Sequence, residues 1–329
     1  SHMDYNYAHW FPWLDRSEWR KAMNLELFRL RMETEHIPCC HGQEQEHLTE
    51  RFAKTHPEYF YMERDGSRHT RFDPKDKNVN SQLCHTSDVW EEIYRDAKSY
   101  LSGEDASVRQ VWNRNGKWLW GWNAAYGKYF DIMPNDGMFK CHCAPCQAAY
   151  AKAKDPKYWA TELIWGRTKT VAERLLDEGV PGFVTQMAYG SYRGVPDFDL
   201  PTNVMVMVAE EGPWATARQA EWDREVAEVK AWSEKVKGGV WLWNYPGKYD
   251  CAGTTIPDVS CSTPHAMGKF LKSVAPYVFG AYQESECDRF FFAHLPLYVF
   301  SRIAWDNSVD PEAIIAEYLR LMFGAGAKA

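Results

Sequence analysis

Short β-rich runs alternate with longer amphipathic stretches along this chain, and that alternation restricts the fold more than any other feature of the sequence. Five runs, 128–133, 182–188, 203–209, 239–244 and 277–282, carry β-branched or aromatic residues and end in polar or glycine-containing exits. Between them, 156–178 spaces Leu163, Ile164, Val171, Leu175 and Leu176 as one face of a helix, and 214–237 does the same with Trp222, Val226, Val229 and Trp232. Strand and helix in regular succession are the signature of βα units on a parallel sheet. Upstream, 24–32 and 37–41 read as further strands and 89–101 as a helix. The segment 311–323 reads as a last helix behind the start signal Asp306-Asn-Ser-Val-Asp310. Seven or so strands against the eight of a barrel predict an α/β fold, a (β/α)8 TIM-barrel-like catalytic domain. Its first strand is then either disguised in 4–10 or supplied by a segment outside this sequence. No repeat, low-complexity tract or Pro/Ser-rich linker breaks the pattern, so 4–329 is expected to form one domain; Ser1-His2-Met3 reads as the scar of a cleaved affinity tag.

Composition narrows the partners. With a net charge of −7 and no block of Lys or Arg, the chain is expected to bind neither nucleic acid nor an anionic membrane surface. No run of ~18 apolar residues is present, so no membrane insertion is expected. The 16 Trp and 18 Tyr are many for this length; such rings fill cores, and they also stack on the apolar face of a pyranose.

In α/β barrels the chemistry lies at the carboxyl ends of the strands. The residues there are His41 and Gln43; Asn135 and Asp136; Tyr189; Glu210 and Glu211; Trp243, Asn244, Tyr245 and Asp250; and Tyr282, Gln283, Glu284 and Glu286. Strand exits are polar in any case because they face water, so the ensemble carries more weight than its members. Asn135-Asp136 could orient a substrate acetamide and deliver a proton, the pair of roles that a 2-acetamido sugar requires when its own acetamide oxygen attacks the anomeric carbon. The same residues, as Pro134-Asn-Asp-Gly137, form a good β-turn in which Asn and Asp bond their own backbone. Glu284, Glu210 and Glu211 are the rival acids. His41, Tyr189, Trp243, Asn244, Tyr245, Tyr282 and Gln283 are the expected substrate-binding residues.

Nine cysteines cannot all pair within one chain. Three of them form Cys141-His-Cys143-Ala-Pro-Cys146, a spacing that suits metal ligation if Cys84, His142 or His85 supplies a fourth donor. Structural zinc, a disulfide with a spare thiol, and reduced cysteines all satisfy the pattern. A sulfur-rich set suits a closed site better than a hydrolytic one, so no catalytic cofactor is expected. Cys39-Cys40-His41 brings thiol and imidazole together in sequence only, and no accompanying nucleophile motif is present. No dinucleotide-binding, phosphate-loop or zinc-protease motif occurs.

His56-Pro-Glu-Tyr-Phe60 with Asp65-Gly66 and Arg68, Gln82-Leu-Cys84, Pro134-Asn-Asp-Gly137 before the three cysteines, and Ala304-Trp-Asp306 with Val309-Asp310 occur in this order. Together, from about His41 to the end of the chain, they resemble the bacterial family labelled domain of unknown function 4838, which is associated with glycoside hydrolase family 163. The resemblance implies a (β/α)8-type catalytic domain and endo-β-N-acetylglucosaminidase action on the chitobiose core of complex N-glycans, by a substrate-assisted retaining mechanism. It also implies a glycan or glycoprotein partner and a secreted, periplasmic or cell-surface location in a bacterium. The N-terminal β-rich domain and complete first strand that members often carry are not visible here. Two alternatives stand beside it: an exo-acting or glucuronic-acid-directed glycosidase using Glu210 or Glu211 with Glu284, and a non-catalytic glycan-binding barrel.

Overall fold

The computed structural model describes residues 25, 29, 36–71, 82–112, 116–210, 212, 218–245, 263–284 and 290–328. It is mixed α/β. Its six described strands are β1 (Ala125–Tyr126), β2 (Tyr129–Asp131), β3 (Phe183–Ala188), β4 (Val204–Ala209), β5 (Val240–Asn244) and β6 (Gly280–Gln283), and they follow chain order in one sheet. The described residues thus supply six strands, where eight close a barrel.

The five strands expected from the pattern are present with shorter bounds. Two further expectations are corrected. In 24–32 the described residues, Leu25 and Arg29, are helical, and 37–41 is irregular chain. The second departure has a clear cause. This segment is held by side chains rather than by a ladder: the Thr185 hydroxyl donates to the Pro38 carbonyl, and the Cys40 N–H donates to Asp131 Oδ2 at 2.7 Å. The segment 4–10 lies outside the described residues.

The chain divides into two compact units. The first comprises Ile37–Val208 and Trp232–Val240. In it β1 pairs antiparallel with β2, β2 runs parallel to β3 (Asp131 opposite Thr185), and β3 runs parallel to β4 (Ala188 opposite Val208). Every β4 residue is buried, as expected of a strand with both faces covered. The helices of this unit are α1 (Gly42–Gln45), α2 (Leu48–Phe52), α3 (Val89–Leu101), α4 (Ala144–Tyr150) and α5 (Thr161–Asp177). α5 buries Ile164, Trp165, Thr168, Val171, Ala172 and Leu175, a 3–4 spacing along one face, whereas Leu176, which the pattern counted as apolar face, is 43% exposed. Trp165 packs on Trp232 with ring centroids 4.5 Å apart, and each indole N–H finds a backbone acceptor, Tyr192 O and Arg193 O. Two large rings are thereby buried without an orphaned donor.

The second unit comprises 1–36, Ala209–Ala231 and Trp241–Ala329. In it β5 runs parallel to β6 with Asn244 opposite Gln283. Its helices are α7 (Pro264–Val274), α8 (Phe290–Trp305) and α9 (Pro311–Phe323), while α6 (Gln219–Lys235) spans the division between the units. α7 and α8 fall where no helix was expected. Gly268 lets α7 approach closely, since a Cβ there would lie 2.6 Å from Pro311 Cβ at the start of α9. Asp310 caps α9 by accepting from Glu312 N–H, with Pro311 in the first turn, as its start signal predicts.

In the first unit a very close backbone approach occurs at Gly42, where a Cβ would lie 2.1 Å from the Asp131 carbonyl oxygen. Neither partner is the free end of a side chain, so nothing can move aside. Gly42→Ala is therefore expected to cost about 3 kcal/mol or more of stability, measured by urea denaturation; a loss below ~1 kcal/mol would contradict this packing.

Candidate functional site

The carboxyl end of β2 is organised by one buried carboxylate. Asp131 is fully buried and accepts backbone N–H groups from Cys40, Met133 (2.9 Å) and Gly42. Burial is the larger influence and raises its pKa to about 8, against these donors. The same exit is braced by Gln43, whose N–H and side-chain amide donate to Met133 O and Ile132 O at 3.1 and 2.9 Å. His41, in the left-handed region at φ 54°, caps α1 and donates its N–H to Met133 Sδ. His41 and Gln43 therefore sit at the β2 exit rather than at the end of a strand of their own over 37–41, and Gln43 is part of the scaffold there. Cys39 is also buried at this end; burial, then the Asp131 charge, pushes its thiol well above the ordinary range, which leaves it unsuited to nucleophilic work.

Beyond Asp131 the chain passes through Asn135, which is buried, to Asp136, which is exposed. Gly137 has φ +62° and donates its N–H to Asp136 Oδ1 at 2.9 Å, so the chain bends at 136–137 with Asp136 bonded to the adjacent backbone. The same carboxylate oxygen also accepts from the Tyr189 hydroxyl at 3.1 Å. Tyr189 follows β3 and Asp136 follows β2, so neighbouring strand exits bring these two predicted residues together. The bend and the constellation coexist.

The four cysteines converge. Cys84, Cys141, Cys143 and Cys146 are all buried and reduced, and their sulfurs lie within 4.8 Å of one another. Three of the contacts measure 3.4 Å (Cys141–Cys143), 3.6 Å (Cys84–Cys143) and 3.7 Å (Cys84–Cys146). A disulfide needs about 2.05 Å, whereas a tetrahedral ion with sulfur at about 2.3 Å spaces its ligands about 3.8 Å apart. The set can hold a metal. Cys84 is the fourth donor; of the alternatives, His142 is exposed, and His85 is buried outside the cluster. The local fold explains the spacing: Cys143 is the residue before α4 and Cys146 lies in its first turn, so the helix start turns both sulfurs inward beside Cys141. Outer contacts complete the shell. Met62 N–H donates to Cys141 Sγ at 3.2 Å, the Thr86 hydroxyl lies 3.1 Å from Cys146 Sγ, and the Arg68 guanidinium bonds Cys84. Hydrogen bonds from Cys141 and Cys146 hold Cys84 far below the ordinary thiol range, so the cluster favours a thiolate there.

In the second unit Glu210 follows β4 and is fully buried, as is Asn244 at the end of β5. Glu210 N–H donates to Trp243 O and Glu284 N–H to Asn244 O, both at 2.8 Å, so the two acids leave the backbone on either side of the end of β5. Trp243 and Tyr282 pack with centroids 4.2 Å apart, Tyr245 lies against Trp243 at 6.4 Å, and the Trp243 indole donates to Glu284 Oε2 at 3.2 Å. Both side-chain amides of the cross-strand pair Asn244 and Gln283 have no hydrogen-bond partner among the described residues. Glu211, Asp250 and Glu286 lie outside the described residues.

Several residues that shape the first unit's site escaped the sequence reading. A lone Asp in the apolar run Tyr129–Met133 was the available signal for Asp131. Gln82 stands in the sequence only as part of the Gln82-Leu-Cys84 motif, with no role attached, and Glu46 and Tyr150 carry no local signal. Glu46 is buried with neither carboxylate oxygen hydrogen-bonded among the described residues, and burial, then the Asp96 charge, raises it well above the carboxylate range. Asp96 itself is held by Arg51 at 2.6 and 2.9 Å and by Arg109 at 2.7 Å.

An α/β sheet with polar and aromatic strand exits, one of them leading into a metal-type cysteine centre, defines the class. Over residues 2–329 the chain matches the family model described as Domain of unknown function (DUF4838), and it belongs to that family. No curated protein and no solved structure gives a significant match to it.

The raised Asp131 has a consequence for stability. Between about pH 4 and pH 8 the folded chain keeps a proton that the unfolded chain has lost, so unfolding releases it and stability falls as pH rises through this window, levelling off above. Glu46 acts in the same direction. Denaturant titrations from pH 5 to pH 8 should show the decline, and Asp131→Asn should flatten it; an unchanged slope in that variant would refute the assignment.

Proposed function

We propose that the chain is a glycoside hydrolase, an endo-β-N-acetylglucosaminidase that cuts the chitobiose core of complex N-glycans by a substrate-assisted, retaining mechanism. The observation that carries this reading is the Asn135, Asp136 and Tyr189 constellation, with the Tyr189 hydroxyl on the Asp136 carboxylate at 3.1 Å. In it the Asn135 side-chain oxygen accepts the acetamide N–H, and the acetamide oxygen attacks the anomeric carbon. Asp136 gives a proton to the departing glycosidic oxygen, and the resulting bicyclic intermediate is opened by a water that attacks the anomeric carbon and loses a proton to the Asp136 carboxylate. Tyr189 fixes the Asp136 rotamer. Asp136 is exposed, so the bound glycan itself would supply the desolvation that an acid requires. The sequence resemblance to glycoside hydrolase family 163 supports the same activity, as well as a closed barrel, a bacterial origin and a secreted, periplasmic or cell-surface location.

Mass spectrometry of glycans released from a glycoprotein carrying complex N-glycans tests the reading: wild type should leave a single GlcNAc on the protein, and Asp136→Asn should lower the rate by at least about 100-fold. Tyr189→Phe should cost roughly 10-fold. Full turnover in Asp136→Asn would remove the acid assignment, and binding without cleavage by wild type would favour a glycan-binding protein.

A second reading rests on Glu210 and Glu284 beside Trp243 and Tyr282: an exo-acting or glucuronic-acid-directed glycosidase with these two acids as its carboxylate pair. Loss of terminal sugars only, abolished by Glu210→Gln or Glu284→Gln and retained in Asp136→Asn, would select it. A carboxylate separation of about 5–5.5 Å would then make the enzyme retaining and about 6.5–9.5 Å inverting.

For the cysteine cluster we propose structural zinc, since four sulfurs in a closed, buried shell match that ion's preference and leave no open position for chemistry. Elemental analysis should find about one zinc per chain, and Cys146→Ser should lose it together with thermal stability. Metal-free wild type with unchanged stability in chelator would exclude the ion.

A further inference from the structure

We infer that Gln82 is a positioning residue for Asp136, through which the cysteine cluster fixes the geometry of the loop between β2 and α4. The inference rests on Asp136 as the acid of the proposed reaction.

The loop that carries Asp136 is short of backbone partners, because β2 ends at Asp131 and α4 begins at Ala144. Gln82 supplies them. Its side chain is 96% buried, being 4% exposed, and lies against the loop. The amide oxygen accepts Phe139 N–H at 3.2 Å, and the amide nitrogen reaches the Asp136 carbonyl at 3.5 Å. One primary amide therefore takes the place of a peptide group on a neighbouring strand, offering an acceptor and a donor to residues three apart.

The backbone of Gln82 is fixed in turn. Tyr61 N–H donates to Gln82 O at 3.1 Å and Cys84 N–H to Tyr59 O at 2.8 Å. Met62, one residue further along, donates to Cys141 Sγ at 3.2 Å and accepts from His142 N–H at 2.9 Å. Tyr61 adds an edge contact to Phe139, with ring centroids 5.8 Å apart. The strand-like segment 59–62 thus lies between Gln82–Cys84 on one side and Cys141–His142 on the other. The circuit is closed where Cys84 meets Cys141, Cys143 and Cys146. Gln82 is two residues from one ligand and Asp136 five residues from the next, so a fixed cluster leaves the loop little freedom. Among the described residues of this circuit, Gln82 is the side chain shown to hydrogen-bond the Asp136 backbone.

Gln82→Ala removes both contacts while leaving every sulfur in place. Hydrogen exchange of the peptide covering 134–140, followed by mass spectrometry on the full chain, should quicken by ~10-fold in this variant. Metal content and the thermal transition should stay at their wild-type values. In the glycan-release assay kcat should fall roughly tenfold with KM within about twofold, because the acid is displaced and the binding contacts are not. Gln82→Glu keeps an acceptor for Phe139 N–H and should retain slow exchange there. Unchanged exchange in Gln82→Ala would overturn the clamp. Loss of metal alongside the loss of protection would reduce Gln82 to a support of the cluster and overturn the positioning role, as would faster exchange with an unchanged kcat. A wild-type chain that shows the exchange difference but never releases glycan would sink the acid reading, and the positioning role with it, while the clamp itself would stand.

Discussion

A carboxylate buried at the end of β2 is the constraint from which most of the first unit's geometry follows. Backbone N–H groups of Cys40, Gly42 and Met133, with the Thr185 hydroxyl, surround the Asp131 carboxylate. Dipoles fixed in the backbone can satisfy a buried oxygen pair without the entropy of a long side chain, but they also dictate where the donating chain must run. The segment from Pro38 to Gln43 is therefore laid across the β2 exit as irregular chain, and Gly42 is the residue that can approach so closely. Everything downstream on the strand, including the direction in which Asn135 and Asp136 leave it, starts from that anchored end.

The cysteine centre plays the complementary part at the far end of the same loop. It gathers sulfurs 57 to 62 residues apart in sequence, Cys84 with its partners on the Cys141–Cys146 stretch, next to a packed shell of Tyr61, Met62, Tyr150, Trp159 and Leu163. Closing so long a loop costs chain entropy that a few apolar contacts meet only in part, and a metal-type cross-link is an efficient way to meet the rest. The proposed acid lies between two fixed points of different chemistry, a dipole-lined carboxylate and a thiolate cluster. Reactive groups are held well when they sit on anchored rather than floppy chain.

How much of this was legible in the sequence differed by kind of interaction. Periodic features survived: Val89–Leu101 and Pro311–Phe323 have the bounds that their patterns and caps predict, and the five strand runs all form strands. Motifs with short internal spacing also survived, since Cys141, Cys143 and Cys146 converge and one of the three suggested fourth donors, Cys84, completes the set. What failed included local pattern, since the helices Pro264–Val274 and Phe290–Trp305 were not foreseen, and also what depends on distant partners. The stretch 37–41 has strand-like composition, but side chains of Thr185 and Asp131 hold its backbone, and no local pattern encodes that. Gln82 is visible as part of the Gln82-Leu-Cys84 motif, but its role is not, until the loop it touches is known. The Asn135-Asp136 pair was legible as two competing readings, and the structure has both, a bend bonded to its own backbone and a carboxylate met by Tyr189.

The reduced state of the cluster bears on the history of the molecule. Sulfurs 3.4 to 3.7 Å apart need only a small shift to come within bonding distance of one another, so an oxidant and a metal ion compete for the same four atoms. Once one pair has oxidised, the remaining two thiolates no longer form a tetrahedral cage. For a chain exported into an oxidising compartment, the sequence of events would matter as much as the final coordinates. In such a compartment a metal bound first would hold the loop in one arrangement, and oxidation first would commit it to another.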